Sequence, residues 1–206
     1  MEIDRDLIPE LEERFGKNSR FRLMQGDIVK VNLSSHWGGR FKVVGNLPYN
    51  ISGAIFEWLI GNFKFVELAV ITVQKEVANR VKAKPGSRDY GSLSVLVQMF
   101  YSVSRLFDIP AGCFSPKPKV TSTVIRLSPD LRLEGEIDYL SFREFIYSCF
   151  AQKRKTLVNS LKASGKYEKH NIEKCLVSLG KSTDIRAEQL NGRDFSVLYR
   201  KITGNV

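Results

Sequence analysis

The chain has 206 residues and a mass of 23.4 kDa, and 43% of its residues are apolar, which is ample for a packed core and excludes a disordered tail. A net charge of +10 and an isoelectric point near 9.6 indicate a polyanionic partner such as a nucleic acid. Three widely spaced cysteines, with His36 and His170 as their only possible companions, make a disulfide framework or a metal site unexpected.

The first 130 residues alternate short apolar strands with amphipathic helices, a pattern typical of a doubly wound α/β sheet. Within residues 41–44 the apolar run predicts a buried strand. The other strands predicted in this stretch are 21–24 and 68–73, and the helices are 7–15, 51–60 and 77–81.

After the turn at 84–87, a helix is predicted over 93–100, followed by strands over 102–109 and 120–127. The loop between these two strands is Phe114-Ser115-Pro116-Lys117-Pro118-Lys119, which contains no helix. Two strands joined in this way form an antiparallel hairpin at the edge of a sheet.

From residue 131 onward the periodicity is helical only. Ser141 and Glu144 have capping-box spacing, and the helix that follows is predicted to continue through Lys153, Arg154 and Lys155. Further helices are expected over 172–179, ended by Gly180, and over 195–202. We therefore predict two domains, an α/β domain over 1–130 and a small all-α domain over 131–206.

The most informative stretch is Asn46-Leu47-Pro48-Tyr49, directly after the strand at 41–44. The Asn46 carboxamide and a backbone carbonyl held by Pro48 can both accept hydrogen bonds from one exocyclic amine, and Tyr49 offers a ring for base stacking. This combination favours methylation of the amino group of adenine. The alternative is an ordinary turn, since Asn and Pro commonly follow strands.

Six stretches in the order of the chain share the spacing of one known family. They are Glu2-Ile3-Asp4, Gln25-Gly26-Asp27, Val44-Gly45-Asn46-Leu47-Pro48-Tyr49-Asn50, Gln74-Lys75-Glu76-Val77-Ala78, Phe114-Ser115-Pro116-Lys117-Pro118-Lys119-Val120 and Phe150-Ala151-Gln152-Lys153-Arg154-Lys155-Thr156-Leu157. With them the chain resembles the small-subunit ribosomal RNA adenine N6,N6-dimethyltransferases over nearly its whole length. The resemblance implies a class I, Rossmann-like methyltransferase sheet followed by a small all-α domain.

The resemblance also implies S-adenosylmethionine as cofactor. Glu2 would accept hydrogen bonds from the ribose hydroxyls, Asp27 would contact the adenine amine of the cofactor, and Asn46 would lie between cofactor and target base. Without the family, Glu2 reads as a solvated terminal carboxylate and Asp27 as a turn residue.

The implied reaction is direct methyl transfer to the adenine N6, with Asn46 and the Leu47 or Pro48 carbonyl accepting from that amine. Tyr49 would stack on the flipped base and Phe114 on its other face, although Phe114 could equally anchor the loop in the core. No general base and no metal is expected.

The implied partner is the ribosomal RNA of the small subunit, bound by a chain that we expect to be a monomer. Lys117 and Lys119, and the cluster Lys153, Arg154 and Lys155, would contact phosphates, the alternative being solvated side chains. No apolar stretch approaches the roughly 20 residues of a membrane span, and the first six residues are too charged for a signal peptide. A cytoplasmic protein without a membrane partner is expected.

One departure from the family concerns the first strand and the glycine-rich loop that holds the methionine part of the cofactor, because no Gly-x-Gly precedes Glu2. We therefore expect an N-terminally incomplete sheet, with weak cofactor binding and weak or no activity of the chain alone. Micromolar, saturable binding of S-adenosylmethionine would contradict this.

Two other functions remain open. The chain could be a non-catalytic RNA-binding factor for ribosome assembly, or it could methylate adenine in large-subunit RNA or in DNA. Replacing Asn46 tests the first alternative, and a panel of substrates tests the second.

Overall fold

The computed structural model describes residues 1–31, 38–130 and 138–204, and His36 lies outside these ranges. The described strands are β1 (Phe41–Asn46), β2 (Val66–Gln74), β3 (Tyr101–Ile109) and β4 (Ser122–Pro129). The described helices are α1 (Leu7–Phe15), α2 (Ser52–Gly61), α3 (Lys75–Val81), α4 (Ser92–Phe100), α5 (Tyr139–Phe150), α6 (Leu157–Ala163), α7 (Lys169–Ser178) and α8 (Gly192–Thr203).

The strands form one mixed sheet in the order β1-β2-β4-β3. β1 and β2 are parallel, and β4 runs antiparallel to both β2 and β3, so the predicted antiparallel hairpin at the sheet edge is confirmed. The register pairs Asn46 with Thr72 and Gln74 with Ser122. The end of β1, the end of β2 and the start of β4 therefore lie along the same edge of the sheet.

The prediction that 41–44 is a buried strand is wrong for one of its faces. Along β1 half-buried and exposed side chains alternate, and Val44 is 85% exposed. β1 is the outer strand of the described sheet, and its neighbour β2 has Ala69, Ile71 and Val73 at 1% exposure or less. Burial of a strand on both faces requires layers on both sides, which the periodicity of one strand does not report.

The predicted strand over 21–24 is also wrong. These residues form no strand, and only the neighbouring Gln25 makes an isolated parallel bridge with Glu2. The bridge consists of the Glu2 N–H donating to the Met24 carbonyl at 3.0 Å and the Gly26 N–H donating to the Glu2 carbonyl at 2.9 Å. An apolar segment becomes a strand only where a ladder of partners extends along it, and here the pairing stops after one bridge.

The segment after Asp27 is attached to α2. The Trp58 Nε1–H donates to the Val31 carbonyl at 3.1 Å, and Ile28, Val29 and Val31 pack against the core. These contacts attach residues 28–31 to α2, the helix that follows the Asn-Leu-Pro-Tyr stretch after one 3₁₀ turn.

The helix predicted from Ser141 begins earlier, at Tyr139, so the capping box with Glu144 is wrong. Asp138 is the N-cap, because its carboxylate accepts from the Ser141 N–H at 2.8 Å. Hydrogen bonds from Ser141, from its side chain and its backbone, lower the pKa of Asp138. Glu144 instead forms an ion pair with Lys166 at 2.6 Å.

Lys153, Arg154 and Lys155 do not continue α5, which ends at Phe150. They lie in a turn before α6, a helix that the sequence analysis did not predict. Ser160 closes this turn: its hydroxyl donates to the Ser148 carbonyl at 2.8 Å and accepts from the Gln152 N–H at 3.3 Å. Thr156 begins the new helix by accepting from the Asn159 N–H at 3.3 Å.

The helical part shares one continuous core with the α/β part. α4 contacts α2 of the α/β part as well as α5 and α8 of the helical part. Across this junction the Tyr90 hydroxyl donates to the Leu190 carbonyl at 2.9 Å, and the Gly86 N–H donates to the Glu188 carbonyl at 2.7 Å. The division into 1–130 and 131–206 stays a prediction. Within the described ranges, no helix has the length and apolarity required to cross a membrane.

Candidate active site

The loop that follows β1 is held in one conformation by its own backbone. A side chain at Gly45 would meet the Leu47 side chain at 3.0 Å, so glycine permits Leu47 to fold back over the strand. The Pro48 carbonyl accepts from the Ile51 N–H at 3.2 Å, closing a 3₁₀ turn over Tyr49–Ile51. The Ser52 hydroxyl then donates to the Tyr49 carbonyl at 2.8 Å as α2 begins.

This loop lines a pocket of about 470 Å³ together with the Pro-rich loop between β3 and β4. The pocket brings together all five residues that the sequence analysis assigned to catalysis. Its lining residues are Asn46, Leu47, Pro48, Tyr49, Phe114, Ser115, Pro116 and Pro118. Tyr49 and Phe114 are half-buried and Asn46 is exposed, so polar and aromatic groups line the same opening.

The Pro-rich loop begins with a 3₁₀ turn at Ala111–Cys113, and the Phe114 N–H donates to the Ala111 carbonyl at 3.3 Å. Lys117 and Lys119 are exposed on either side of Pro118. The two lysines are thus presented to solvent at the rim of the pocket, which Pro118 lines.

The structure adds a residue that the sequence analysis missed. Ser122, at the start of β4 and fully buried, forms a hydrogen bond of 2.6 Å between its Oγ and the Tyr49 hydroxyl. The two residues are 73 positions apart in the chain, so no local pattern could have connected them.

Next to Ser122 lies a charged cluster that was also not predicted. The Asp108 carboxylate accepts from the Thr123 hydroxyl at 2.8 Å and from Arg105, and Lys75 lies 3.3 Å away. The Thr123 hydrogen bond, with the Arg105 and Lys75 cations, lowers the pKa of Asp108. This cluster joins the ends of β2 and β3 to the start of β4.

Two of the three predicted cofactor residues, Glu2 and Asp27, lie in the N-terminal segment, whereas the third, Asn46, lines the pocket after β1. The Glu2–Gln25 bridge places Glu2 beside the Gly26-Asp27 turn, in which the Asp27 carboxylate accepts from the Val29 N–H at 3.2 Å. One Glu2 carboxylate oxygen, Oε1, accepts from the N–H groups of Ile3 at 2.8 Å and Asp4 at 2.9 Å. A cavity of about 590 Å³ adjoins this bridge, lined by Ile3, Arg5, Ile8, Pro9, Gln25 and Gly26.

Lys153, Arg154 and Lys155 line a small pocket of about 290 Å³ with Gln152. All three are exposed, and none forms an ion pair with another residue in the described parts of the chain. The structure therefore keeps the cluster together around one small pocket, whereas the loop that carries Lys117 and Lys119 lines a different pocket through Phe114, Pro116 and Pro118.

A Rossmann-like sheet that carries an Asn-Leu-Pro-Tyr loop at its strand ends, facing an aromatic residue, defines a class I methyltransferase. Comparison with known proteins identifies the family. The family model for ribosomal RNA adenine dimethylase matches residues 1–190, so the chain belongs to the ribosomal RNA adenine dimethylase family. By family it is an enzyme, and methyltransferases of this kind use S-adenosylmethionine.

Relatives named ribosomal RNA small subunit methyltransferase A match nearly the whole of this chain, among them the following two. The protein from Acidobacterium capsulatum is 43% identical over 205 residues, which cover 98% of this chain and 72% of that protein. The protein from Thermotoga maritima is 39% identical over 202 residues, covering 97% of this chain and 65% of that protein.

Two solved structures share the fold. A dimethyladenosine transferase from Plasmodium falciparum has 23% identity and a TM-score of 0.79, and the 23S rRNA methyltransferase ErmE has 22% identity and a TM-score of 0.65. Each match covers 98% of this chain and 80% of the other. At such identities the likeness shows the methyltransferase fold alone.

Proposed function

We propose that this protein transfers methyl groups from S-adenosylmethionine to the N6 of adenines in small-subunit ribosomal RNA, giving N6,N6-dimethyladenosine. The observation that carries the proposal is the pocket of about 470 Å³ in which the Asn46 to Tyr49 loop faces Phe114. Its two aromatic rings and its amide group suit a flipped adenine base with an exocyclic amine.

The hydrogen-bond acceptors for that amine are the Asn46 side-chain oxygen and one backbone carbonyl. The Pro48 carbonyl already accepts from the Ile51 N–H at 3.2 Å, whereas the Leu47 carbonyl has no backbone donor among the described residues. This favours Leu47 over Pro48 as the second acceptor. Two acceptors on the amine protons favour the pyramidal geometry in which the nitrogen lone pair is available for attack.

Tyr49 and Phe114 would hold the adenine ring between them. Both are half-buried, so part of each ring is available to a base while the rest packs against the protein. Stacking on an aromatic side chain is worth about 1–3 kcal/mol per base, which offsets part of the cost of unstacking the adenine from RNA.

No residue of this pocket is suited to act as a general base. The described lining contains neither a carboxylate nor an imidazole. None is required, because the amine proton becomes strongly acidic only after the methyl group has added. Positioning and hydrogen bonding to the amine are therefore the contributions of the protein.

The N-terminal segment fits the adenosine part of the cofactor. S-adenosylmethionine supplies, when bound, a sulfonium methyl group that a neutral amine can attack. Glu2 and the Gly26-Asp27 turn are held side by side by the parallel bridge, beside a cavity that Ile3 lines. A carboxylate at Glu2 suits the ribose diol and one at Asp27 suits the adenine amine, because both ligand groups are hydrogen-bond donors.

The RNA backbone would contact two groups of exposed cations, Lys117 and Lys119 at the pocket rim and Lys153, Arg154 and Lys155 before α6. Residues 1–130 carry 18 Lys or Arg against 13 Asp or Glu and residues 131–206 carry 14 against 9, so each part has a net charge of +5. We assign catalysis to the first part and RNA binding mainly to the second, in a cytoplasmic monomer.

A second candidate is a non-catalytic role in assembly of the small subunit. It is favoured by the Lys153 to Lys155 turn, whose cations are exposed and belong to a pocket separate from the catalytic one. RNA binding at that turn would not depend on methyl transfer.

The test is transfer of labelled methyl groups from S-adenosylmethionine to unmethylated small ribosomal subunits, with free large-subunit RNA and duplex DNA as competing substrates. We expect transfer to the small subunit, its loss in Asn46→Ala, and no change in Asn159→Ala, which replaces an exposed asparagine of α6. Subunit binding without transfer by the unaltered protein supports the assembly role. Preferred transfer to large-subunit RNA or DNA contradicts the proposed substrate.

A further inference from the structure

The hydrogen bond between the Tyr49 and Ser122 hydroxyls joins the candidate catalytic loop to a strand on the far side of β2. We infer that Ser122 is a positioning residue, which fixes the plane of the Tyr49 ring for stacking on the target base. The inference rests on the proposed function, because it assigns the hydrogen bond a role in that reaction.

The ring of Tyr49 is held at both ends. At its backbone, the Tyr49 carbonyl accepts from the Ser52 hydroxyl at 2.8 Å, and the 3₁₀ turn is closed by the bond between Ile51 and Pro48. At its tip, the phenol oxygen lies 2.6 Å from the Ser122 Oγ. A side chain with two torsions that is fixed at both ends keeps little freedom to tilt out of the stacking plane.

The Ser122 end of this connection is itself rigid. Ser122 is fully buried and lies between Gln74 of β2 and Ile109 of β3 in the sheet register. The carbonyl of the preceding Thr121 accepts from the Lys75 N–H at 3.0 Å. The following Thr123 donates to Asp108 at 2.8 Å, which links it to β3. The Tyr49 hydroxyl is therefore bonded to a point that cannot move without disturbing three strands.

This geometry explains the presence of tyrosine where phenylalanine would also provide a ring. The hydroxyl is engaged with the protein, so we assign it to orientation of the ring and not to contact with the substrate. The distinction is testable, because a hydroxyl that acts on the substrate would remain important after Ser122 is removed.

The experiment compares Ser122→Ala, Tyr49→Phe and the double variant in methyl transfer to small ribosomal subunits. We expect each single variant to lower kcat by roughly tenfold, as for loss of one hydrogen bond that holds a reacting group, with little change in KM. The double variant should be no slower than either single variant, because each single substitution already removes the same hydrogen bond.

Ser94→Ala is the matched control, since Ser94 is equally buried and its hydroxyl donates to the Arg80 carbonyl at 2.6 Å, outside the pocket. It should lower stability without the fall in kcat. Ser122→Thr, which keeps a hydroxyl at the same position, should recover most of the loss. A normal rate in Ser122→Ala, or additive losses in the double variant, would overturn the inference and leave the proposed function intact.

A second measurement does not depend on activity. With ¹³C-labelled tyrosine rings, Tyr49 is one of seven tyrosines, and Tyr49→Phe identifies its signals. We expect Ser122→Ala to increase the motion of the Tyr49 ring more than that of any other tyrosine, while Ser94→Ala leaves it unchanged. If the motion of the Tyr49 ring were the same in Ser122→Ala as in the unaltered protein, the inference would be contradicted even if the protein methylated no RNA.

Discussion

The pocket at the end of β1 and the turn at 151–156 both contain predicted functional residues, but they are built in opposite ways. In the pocket, Tyr49 is fixed by hydrogen bonds at its backbone and at its hydroxyl. In the turn, the Ser160 hydroxyl orders the backbone by accepting from the Gln152 N–H, while the side chains of Lys153, Arg154 and Lys155 are exposed to solvent.

The difference fits the functions that we propose for the two regions. Methyl transfer requires reacting atoms within a few tenths of an ångström of their productive positions, so the pocket needs rigid supports. Phosphate groups are recognised by charge over a broad range of geometries, and mobile lysines serve that purpose. We therefore expect substitutions in the pocket to change the rate and those in the turn to change affinity for RNA.

The largest effect is expected from removing a ring of the pocket. Phe114→Ala and Tyr49→Ala should each lower kcat/KM by roughly 10- to 100-fold, because a stacked base loses about 1–3 kcal/mol. Single-turnover methylation of small subunits measures this. Tyr147→Ala, which removes a 43% exposed tyrosine of α5, serves as the control for loss of an aromatic residue elsewhere. Equal losses in all three variants would mean that the pocket has no special role.

The turn is tested by replacing Lys153, Arg154 and Lys155 together with Ala. Subunit affinity should fall by about tenfold at moderate salt, and the slope of log K against log salt should decrease by about two to three if each cation neutralises one phosphate. Methyl transfer at saturating subunit concentration should stay near its original rate. Titrations at several salt concentrations separate the two effects, and an unchanged slope would rule out phosphate contacts at this turn.

A smaller effect is expected at the contact between α2 of the α/β part and α5 of the helical part. The Glu57 carboxylate on α2 accepts from Arg143 at 3.0 Å and from the Tyr147 hydroxyl at 2.5 Å, both on α5. Burial, together with the Glu57 hydrogen bond, raises the pKa of Tyr147. Glu57→Gln should reduce the free energy of unfolding by about 1 kcal/mol, since the pair is partly exposed.

Urea unfolding measures the effect of Glu57→Gln. Glu76→Gln is its control, because Glu76 is 76% exposed and its pair with Arg80 lies within one helix. The control should change stability by no more than about 0.5 kcal/mol. If the two variants were equally stable, Glu57 would not contribute to holding α2 against α5.

The smallest effect is expected at the charged cluster beside Ser122, where the contribution of Asp108 to stability is present at neutral pH and fades in acid. The hydrogen bond from Thr123 and the two cations lower the pKa of Asp108 from 3.8. The stabilisation is therefore complete above that unfolded value and is lost as the pH falls through the lowered folded value. Asp108→Asn should be less stable than the unaltered protein at neutral pH, and the gap should narrow below about pH 4.

Unfolding midpoints measured from pH 6 to pH 3 test this, with Asp184→Asn, an exposed aspartate, as control. A difference in stability between Asp108→Asn and the unaltered protein that stays constant over this range would show that the charge of Asp108 does not contribute to stability.

Local chemistry in the sequence determined most of the elements and the centre of the candidate site. The helical spacing of apolar residues located α1, α2, α7 and α8, and the Asn46 to Tyr49 stretch identified the pocket loop without knowledge of its surroundings. Such features depend on residues a few positions apart, whose periodicity and side-chain chemistry are visible in the chain itself.

Tertiary structure decided what required partners distant in sequence. Residues 21–24 had the apolar pattern of a strand but lacked a ladder to join, and Asp138 capped α5 in place of Ser141. Ser160 closed a turn where the sequence predicted continuous helix. Ser122 reached Tyr49 across 73 positions. In each case several local choices had similar energies, and long-range packing and hydrogen bonding selected among them.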